Sequence, residues 1–202
     1  MKKILVWDLP TRIGHWLLVI AFAVAYLSGD SEVWRLVHVG AGYAFGGALA
    51  FRLFWGLAGT RYARFSSFLF SPRQALKYLS REFKGKPEHW AGHNPAGSYA
   101  IYALLLLGLS AVISGWAVYV EVGGDLLEEA HDALSYTLLG VVGVHVTGVV
   151  VSSRMHRENL VRSMVTGYKL GFGNEAIESS RKYWVLMLFG LVVAASLMSL
   201  VS

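Results

Sequence analysis

The sequence predicts an all-α integral membrane protein, a four-helix bundle followed by a fifth, C-terminal transmembrane helix. Three observations carry this. The 202 residues are 55% hydrophobic and only 15% charged, a balance rare in soluble domains of this size. Five apolar stretches approach the length that crosses a bilayer, about 20 residues with a tolerance of roughly 17–25. The charges between those stretches segregate by side.

The apolar stretches cover about residues 13–28, 36–58, 97–120, 130–152 and 183–201. The first is the shortest. A secretory signal peptide is its rival reading, but no small-residue cleavage site follows and His15 opens the apolar run, which argue against it. The segment before the first stretch carries Lys2, Lys3 and Arg12 against Asp8. The second loop carries Arg61, Arg64, Arg73, Lys77, Arg81, Lys84 and Lys86 against Glu82 and Glu88. Arg154, Arg157, Arg162, Lys169, Arg181 and Lys182 follow the fourth stretch. The opposite side is acidic. The first loop holds Asp30, Glu32 and Arg35, and the third holds Glu121, Asp125, Glu128, Glu129 and Asp132 with no Lys or Arg. Positive charge marks the cytoplasmic side of a plasma membrane. The N-terminus is therefore expected in the cytoplasm and the C-terminus outside.

Two basic segments on the cytoplasmic side read as packing or interfacial helices. Ser71-Pro72 is a helix-start signal, after which Ala75, Leu76, Leu79 and Phe83 are expected on one face. Residues 156–170 also mix apolar and basic positions. The chain has no cysteine, which excludes disulfides, zinc–thiolate sites and iron–sulfur clusters.

Four histidines lie in or at the ends of the apolar stretches: His15, His38, His131 and His145. An ionisable residue there is costly, so each is a functional candidate. Any one alone could equally be an interfacial or hydrogen-bonded residue. Their placement as a set says more. His131 and His145 are 14 residues apart on one expected helix, about 40° from alignment and roughly 21 Å apart along the axis. Depth pairs His15 with His145 on the cytoplasmic side and His38 with His131 on the outer side. Two imidazoles from different helices at one depth suit the axial positions of a six-coordinate haem iron. Zinc or copper prefers three or four ligands gathered together. A flat macrocycle between helices also needs small neighbours. Gly40, Gly42, Gly46, Gly47, Gly108, Gly115, Gly140, Gly143 and Gly148 offer them, although close helix packing uses glycine too.

Arg52 is the one full charge deep in a stretch, 14 residues after His38. A propionate of the inner haem is its expected partner, with snorkelling to the interface as the alternative. His89 and His93 have metal-ligand spacing for a helix, but Gly92 and Pro95 argue against a helix there. They read as loop or quinone-pocket residues, and His156 as interfacial.

These residues resemble the prokaryotic cytochrome b561 family, which includes the cytochrome b subunits of membrane nickel–iron hydrogenases. The resemblance rests on Trp7-Asp8, Thr11-Arg12 and His15-Trp16, then His38-Val39-Gly40 and residues 52–56 and 61–65. Gly92-His93-Asn94-Pro95, His131, His145, residues 159–161 and residues 164–167 complete it. It covers roughly residues 5–170, so residues 1–170 are expected to form a di-haem domain and 171–202 a linker and terminal helix. It implies two haem b groups with His15, His38, His131 and His145 as axial ligands. It also implies electron exchange between membrane quinone and a partner redox protein.

Three functions fit. The first is a conduit between quinone and a periplasmic partner such as a cytochrome c, which the acidic outer face would attract. The second is a superoxide oxidase that reduces quinone, an activity within the family. The same acidic face would slow an anion's arrival. The third is the haem subunit of a hydrogenase or similar dehydrogenase. A metal or proton transporter is disfavoured by the paired depths. Quinone has two candidate positions, near Arg52, Trp55 and His93 or near Trp34 and Trp116.

Overall fold

The computed structural model describes residues 2–86 and 88–198. Short strand β1 (Lys2–Leu5) precedes helices α1 (Leu9–Ser28), α2 (Arg35–Ala58), α3 (Pro72–Phe83), α4 (Pro95–Tyr119) and α5 (Gly124–Met155). Helix α6 (Leu160–Thr166), strand β2 (Tyr168–Gly171) and helix α7 (Trp184–Met198) follow. Four helical segments are long and apolar enough to cross a membrane: Leu9–Ser28, Glu32–Ala58, Pro95–Tyr119 and Gly124–Met155. Their side chains agree with that. Ile20, Leu106, Ile113 and Val144 are each more than half exposed. Apolar surface on that scale is unusual in water and ordinary in lipid.

The fifth stretch is different. Helix α7 has 15 described residues, about 22 Å at 1.5 Å per residue. Residues 199–202, into which the expected span runs, lie outside the described residues.

The chain forms two compact units. One gathers residues 2–12, 54–103 and 141–182. Its core is Ile4, Val6, Trp7, Tyr62, Ala91 and Ile177. Antiparallel pairing of β1 with β2 joins Lys2 to Gly171 and Leu5 to Tyr168. Asp8 caps α1, its Oδ1 accepting from the Thr11 amide at 2.8 Å. The expected helix at 156–170 is shorter in the structure. Asn159 caps α6 and Gly167, at φ 89°, ends it after seven residues.

Helix α3 begins where the sequence places it. Ser71 and Gln74 form a reciprocal capping box across Pro72. Its faces differ from the expectation. Ala75, Tyr78 and Glu82 are buried. Leu76, Leu79 and Phe83 are exposed. The apolar positions therefore split between two faces, because the inward one is built around a buried carboxylate.

The other unit gathers residues 13–53, 104–140 and 183–198. Helix α7 packs on α1 and α2 here. A Cβ at Gly47 would stand 2.9 Å from the Leu191 carbonyl, and one at Gly14 would stand 3.8 Å from Leu188. Leu188 is fully buried. Gly47 thus lets two helix backbones come into contact.

Candidate functional site

In the second unit, α2 and α5 bring His38 and His131 together with ring centres 6.1 Å apart and planes at 89°. Both rings are half-buried. His38 Nδ1 lies 2.8 Å from the Ala25 carbonyl. His131 Nδ1 lies 3.1 Å from the Ala111 carbonyl and 3.1 Å from Ser114 Oγ. A carbonyl only accepts, so each Nδ1 carries the proton and donates it. Each Nε2 is then the atom with a free lone pair, which a metal ligand requires. Gly115 makes room for this arrangement, since a Cβ there would stand 2.8 Å from His131 Cε1.

His15 also lies in the second unit, on α1, half-buried with its ring edge-on to Trp16 at 5.2 Å. His145 lies in the first unit, half-buried on α5. Arg52 is half-buried on α2. The structure thus joins one of the two expected histidine pairs within a unit.

Eight of the nine glycines named above divide into two groups. Gly46, Gly47, Gly108 and Gly115 meet other helices or His131 within 3.2 Å of an added Cβ, so they serve close packing. Gly42, Gly140, Gly143 and Gly148 face open space. An apolar cavity of about 340 Å³ lies between α1 and α2, lined by Leu17, Ala21, Val24, Val37, Ala41 and Val192. None of the four histidines lines it.

The first unit holds polar groups whose partners the sequence does not indicate. Asp8 is fully buried. It accepts from Trp55 Nε1 at 3.1 Å and from Thr60 Oγ1 at 2.5 Å, besides the Thr11 amide. Lys169 is buried, donating to the Trp90 carbonyl at 2.8 Å with Glu158 at 3.6 Å. Burial lowers its pKa, and Glu158 opposes the shift. His156, read as interfacial, pairs with buried Glu82 at 3.1 Å. Tyr78 sits beside that pair, its hydroxyl pKa raised by burial and then by Glu82. His93 stands between Trp7 and Phe68, 4.8 and 4.4 Å between ring centres. His89 lies 3.5 Å from Glu175. Residues 88–94 form no helix, so the metal spacing of His89 and His93 is not realised on a helical face. Asp8, two residues before Pro10 at a helix start, carried a local signal of its capping role.

The sequence profile described as prokaryotic cytochrome b561 matches residues 6–167. The chain belongs to that family. It is therefore a membrane haem b protein of electron transfer. Similar proteins include the probable Ni/Fe-hydrogenase B-type cytochrome subunit of Rhodobacter capsulatus, 22% identical over 87% of this chain and 84% of the relative. The probable Ni/Fe-hydrogenase 1 B-type cytochrome subunit of Escherichia coli K12 is 26% identical over 81% and 89%. The corresponding subunit of Cupriavidus necator is 24% identical over 84% and 88%. No solved structure matches the chain significantly.

His38 and His131 fit the haem of a cytochrome b561. Their ring centres stand 6.1 Å apart, a carbonyl engages each Nδ1 and each Nε2 keeps its lone pair, so these two residues would hold a haem iron, which would supply one-electron redox chemistry.

Proposed function

We propose that this cytochrome b561-family chain carries electrons across a bacterial plasma membrane through two b haems, between membrane quinone and a periplasmic redox partner. The His38–His131 pair is the observation that carries the reading. We assign those two residues to the iron of the periplasmic-side haem and His15 with His145 to that of the cytoplasmic-side haem. The second assignment rests on their depth in the sequence and on the continuity of α5 through both His131 and His145. Haem supplies one-electron redox chemistry. The protein supplies position and tuning. The Ala25 and Ala111 carbonyls fix the tautomer and orientation of the two rings. Arg52 is assigned to an inner-haem propionate. Arg52→Ala should then move the potential of that haem far more than the other's. Equal shifts would remove the assignment.

Residues 1–170 form the haem domain in this reading. The basic loops face the cytoplasm and the acidic ones the periplasm. Helix α7 passes outward, so that the C-terminus is periplasmic. Asp30, Glu32, Glu121, Asp125, Glu128, Glu129 and Asp132 are all exposed, which supports a cationic partner such as a cytochrome c. That surface disfavours superoxide, an anion. The relatives' names support a second reading, in which the partner is a membrane-bound hydrogenase or dehydrogenase.

Haem content tests the core of the proposal. The purified protein should hold two low-spin haems per chain, and His131→Ala and His15→Ala should each lose a different one. One haem per wild-type chain, or loss of the same haem in both variants, is incompatible with it. Quinol-driven reduction of a lysine-rich cytochrome c should slow steeply with salt. A salt-independent rate shifts the choice to the hydrogenase-type partner.

A further inference from the structure

We propose that α3 is a binding site for anionic phospholipid, with its outward apolar face in the membrane boundary and its flanking cations on the lipid phosphates. Two hydrogen bonds set the level of the helix. Tyr99, in the first turns of α4, donates to the Phe70 carbonyl just before α3 at 2.9 Å. Glu82, in the last turn of α3, pairs with His156 just after α5 at 3.1 Å. Both ends of α3 are therefore pinned to the ends of membrane-length helices, which is where water meets lipid.

The helix presents three sectors. Ala75, Tyr78 and Glu82 face the protein. Leu76, Leu79 and Phe83 fall within about 60° of one another and are 68%, 39% and 87% exposed. Leu69, before the helix, is 69% exposed. The third sector is polar and carries Arg73 and Lys77, with Lys84 and Lys86 just beyond the helix. Arg81, also in that sector, pairs with Glu88. Arg73, Lys77, Lys84 and Lys86 are exposed and form no ion pair among the described residues. The acid of the helix, Glu82, is turned inward. The outer surface is thus apolar beside cationic, the pairing that anionic interfaces select. Each such cation near an anionic surface strengthens binding about fivefold. The capping box holds the helix formed before lipid arrives, which lowers the ordering cost.

This rests on the membrane-spanning reading and not on the haem assignments. Because the chain has no cysteine, single cysteines report individual positions. Haem-loaded Phe83→Cys and Ser80→Cys proteins are placed in nanodiscs of phosphatidylcholine with phosphatidylglycerol and treated with a charged maleimide. Position 83 should react at least tenfold more slowly than position 80. Equal rates would put the apolar face in water and overturn the proposal. Native mass spectrometry of protein from the same nanodiscs should find phosphatidylglycerol retained in excess. Arg73→Glu with Lys77→Glu should cut that excess at least fivefold, and the Gln pair should give a smaller loss with an unchanged haem spectrum. Retention that survives both pairs overturns the anionic selectivity. So does displacement of the lipid by excess inorganic phosphate, which would make the site one for free anion.

Discussion

Replacing Gly115 with alanine perturbs the His38–His131 pair at its tightest point. The added Cβ would stand 2.8 Å from Cε1 and 3.2 Å from Nδ1 of His131. Non-bonded carbons rest at about 3.5–4.0 Å, so the ring has to retreat by roughly 0.7–1.2 Å. The retreat is away from α4, which supplies the Ala111 carbonyl and Ser114 Oγ, each now 3.1 Å from Nδ1. Those distances would open to about 4 Å, beyond hydrogen-bonding range. Metal–ligand distances tolerate only about 0.2 Å. The ring therefore loses both its orienting partners and, in the proposed assignment, its place on the iron. One haem should change and the other should not. Haem per chain, measured as the pyridine complex, should fall toward one, or one of two midpoints in a potentiometric titration of the α-band should move. Gly190→Ala on α7, with nothing within 4 Å of the new Cβ, is the control and should leave both haems as they are. A Gly115→Ala protein with two haems at native potentials would refute the role given to His131.

Three further outcomes follow from the same geometry. Asp8→Ala strands the Thr11 amide, Trp55 Nε1 and Thr60 Oγ1. It should cost about 2–4 kcal/mol, seen as a lower melting temperature in detergent. An unchanged melt rejects Asp8 as a structural hub. Tyr78 keeps its proton in the folded protein above its ordinary pKa of 10.0, whereas the unfolded chain gives it up there. Its stabilisation is present below that pH and lost as the pH rises through it. Tyr78→Phe should therefore flatten the fall in stability above pH 10, and an equally steep fall would contradict the burial of the hydroxyl. Gly47→Leu drives a side chain into the Leu191 and Val192 backbone. It should cost about 1–3 kcal/mol by overpacking and open the C-terminal segment to protease. Unaltered cleavage would mean that α7 does not rest on α2.

The four long helices were legible because lipid imposes a length and a composition on every span. Paired depth made the four histidines candidates, and His38 and His131 stand side by side in the structure. Ser71, Pro72 and Gln74 announced α3 because a cap is a local signal. What stayed hidden was long in range. Nothing near Lys2 indicates that it pairs with Gly171, and nothing near His156 indicates Glu82. The faces of α3 were misjudged for that reason. Sorting by hydropathy groups Ala75 with Leu76, but a buried Glu82 needs its partner, and the partner decides which side is inward. The division of the glycines was hidden too, since composition does not distinguish a close approach from open space.

The polar groups of the first unit gain meaning from where α1 begins. A histidine that ligates iron must be held against rotation and sliding of its own helix. His15 lies seven residues beyond Asp8, roughly 10 Å or two turns along α1. Asp8 caps that helix while binding Trp55 and Thr60, so the start of α1 is tied to the end of α2 and the turn after it. Leu9 donates to the Ser180 carbonyl at 3.0 Å, and Val6 and Trp7 donate to the Gly167 carbonyl at 2.9 and 3.0 Å. The Arg12 guanidinium reaches the Val165 carbonyl at 2.6 Å. One turn or two before His15, the chain is thus anchored to three other segments. His38 and His131 receive the same service directly, from carbonyls on α1 and α4. Two histidines are fixed by hydrogen bonds to their rings. The anchored start of α1 would likewise hold His15, a ligand in the proposed assignment, against rotation and sliding of its helix.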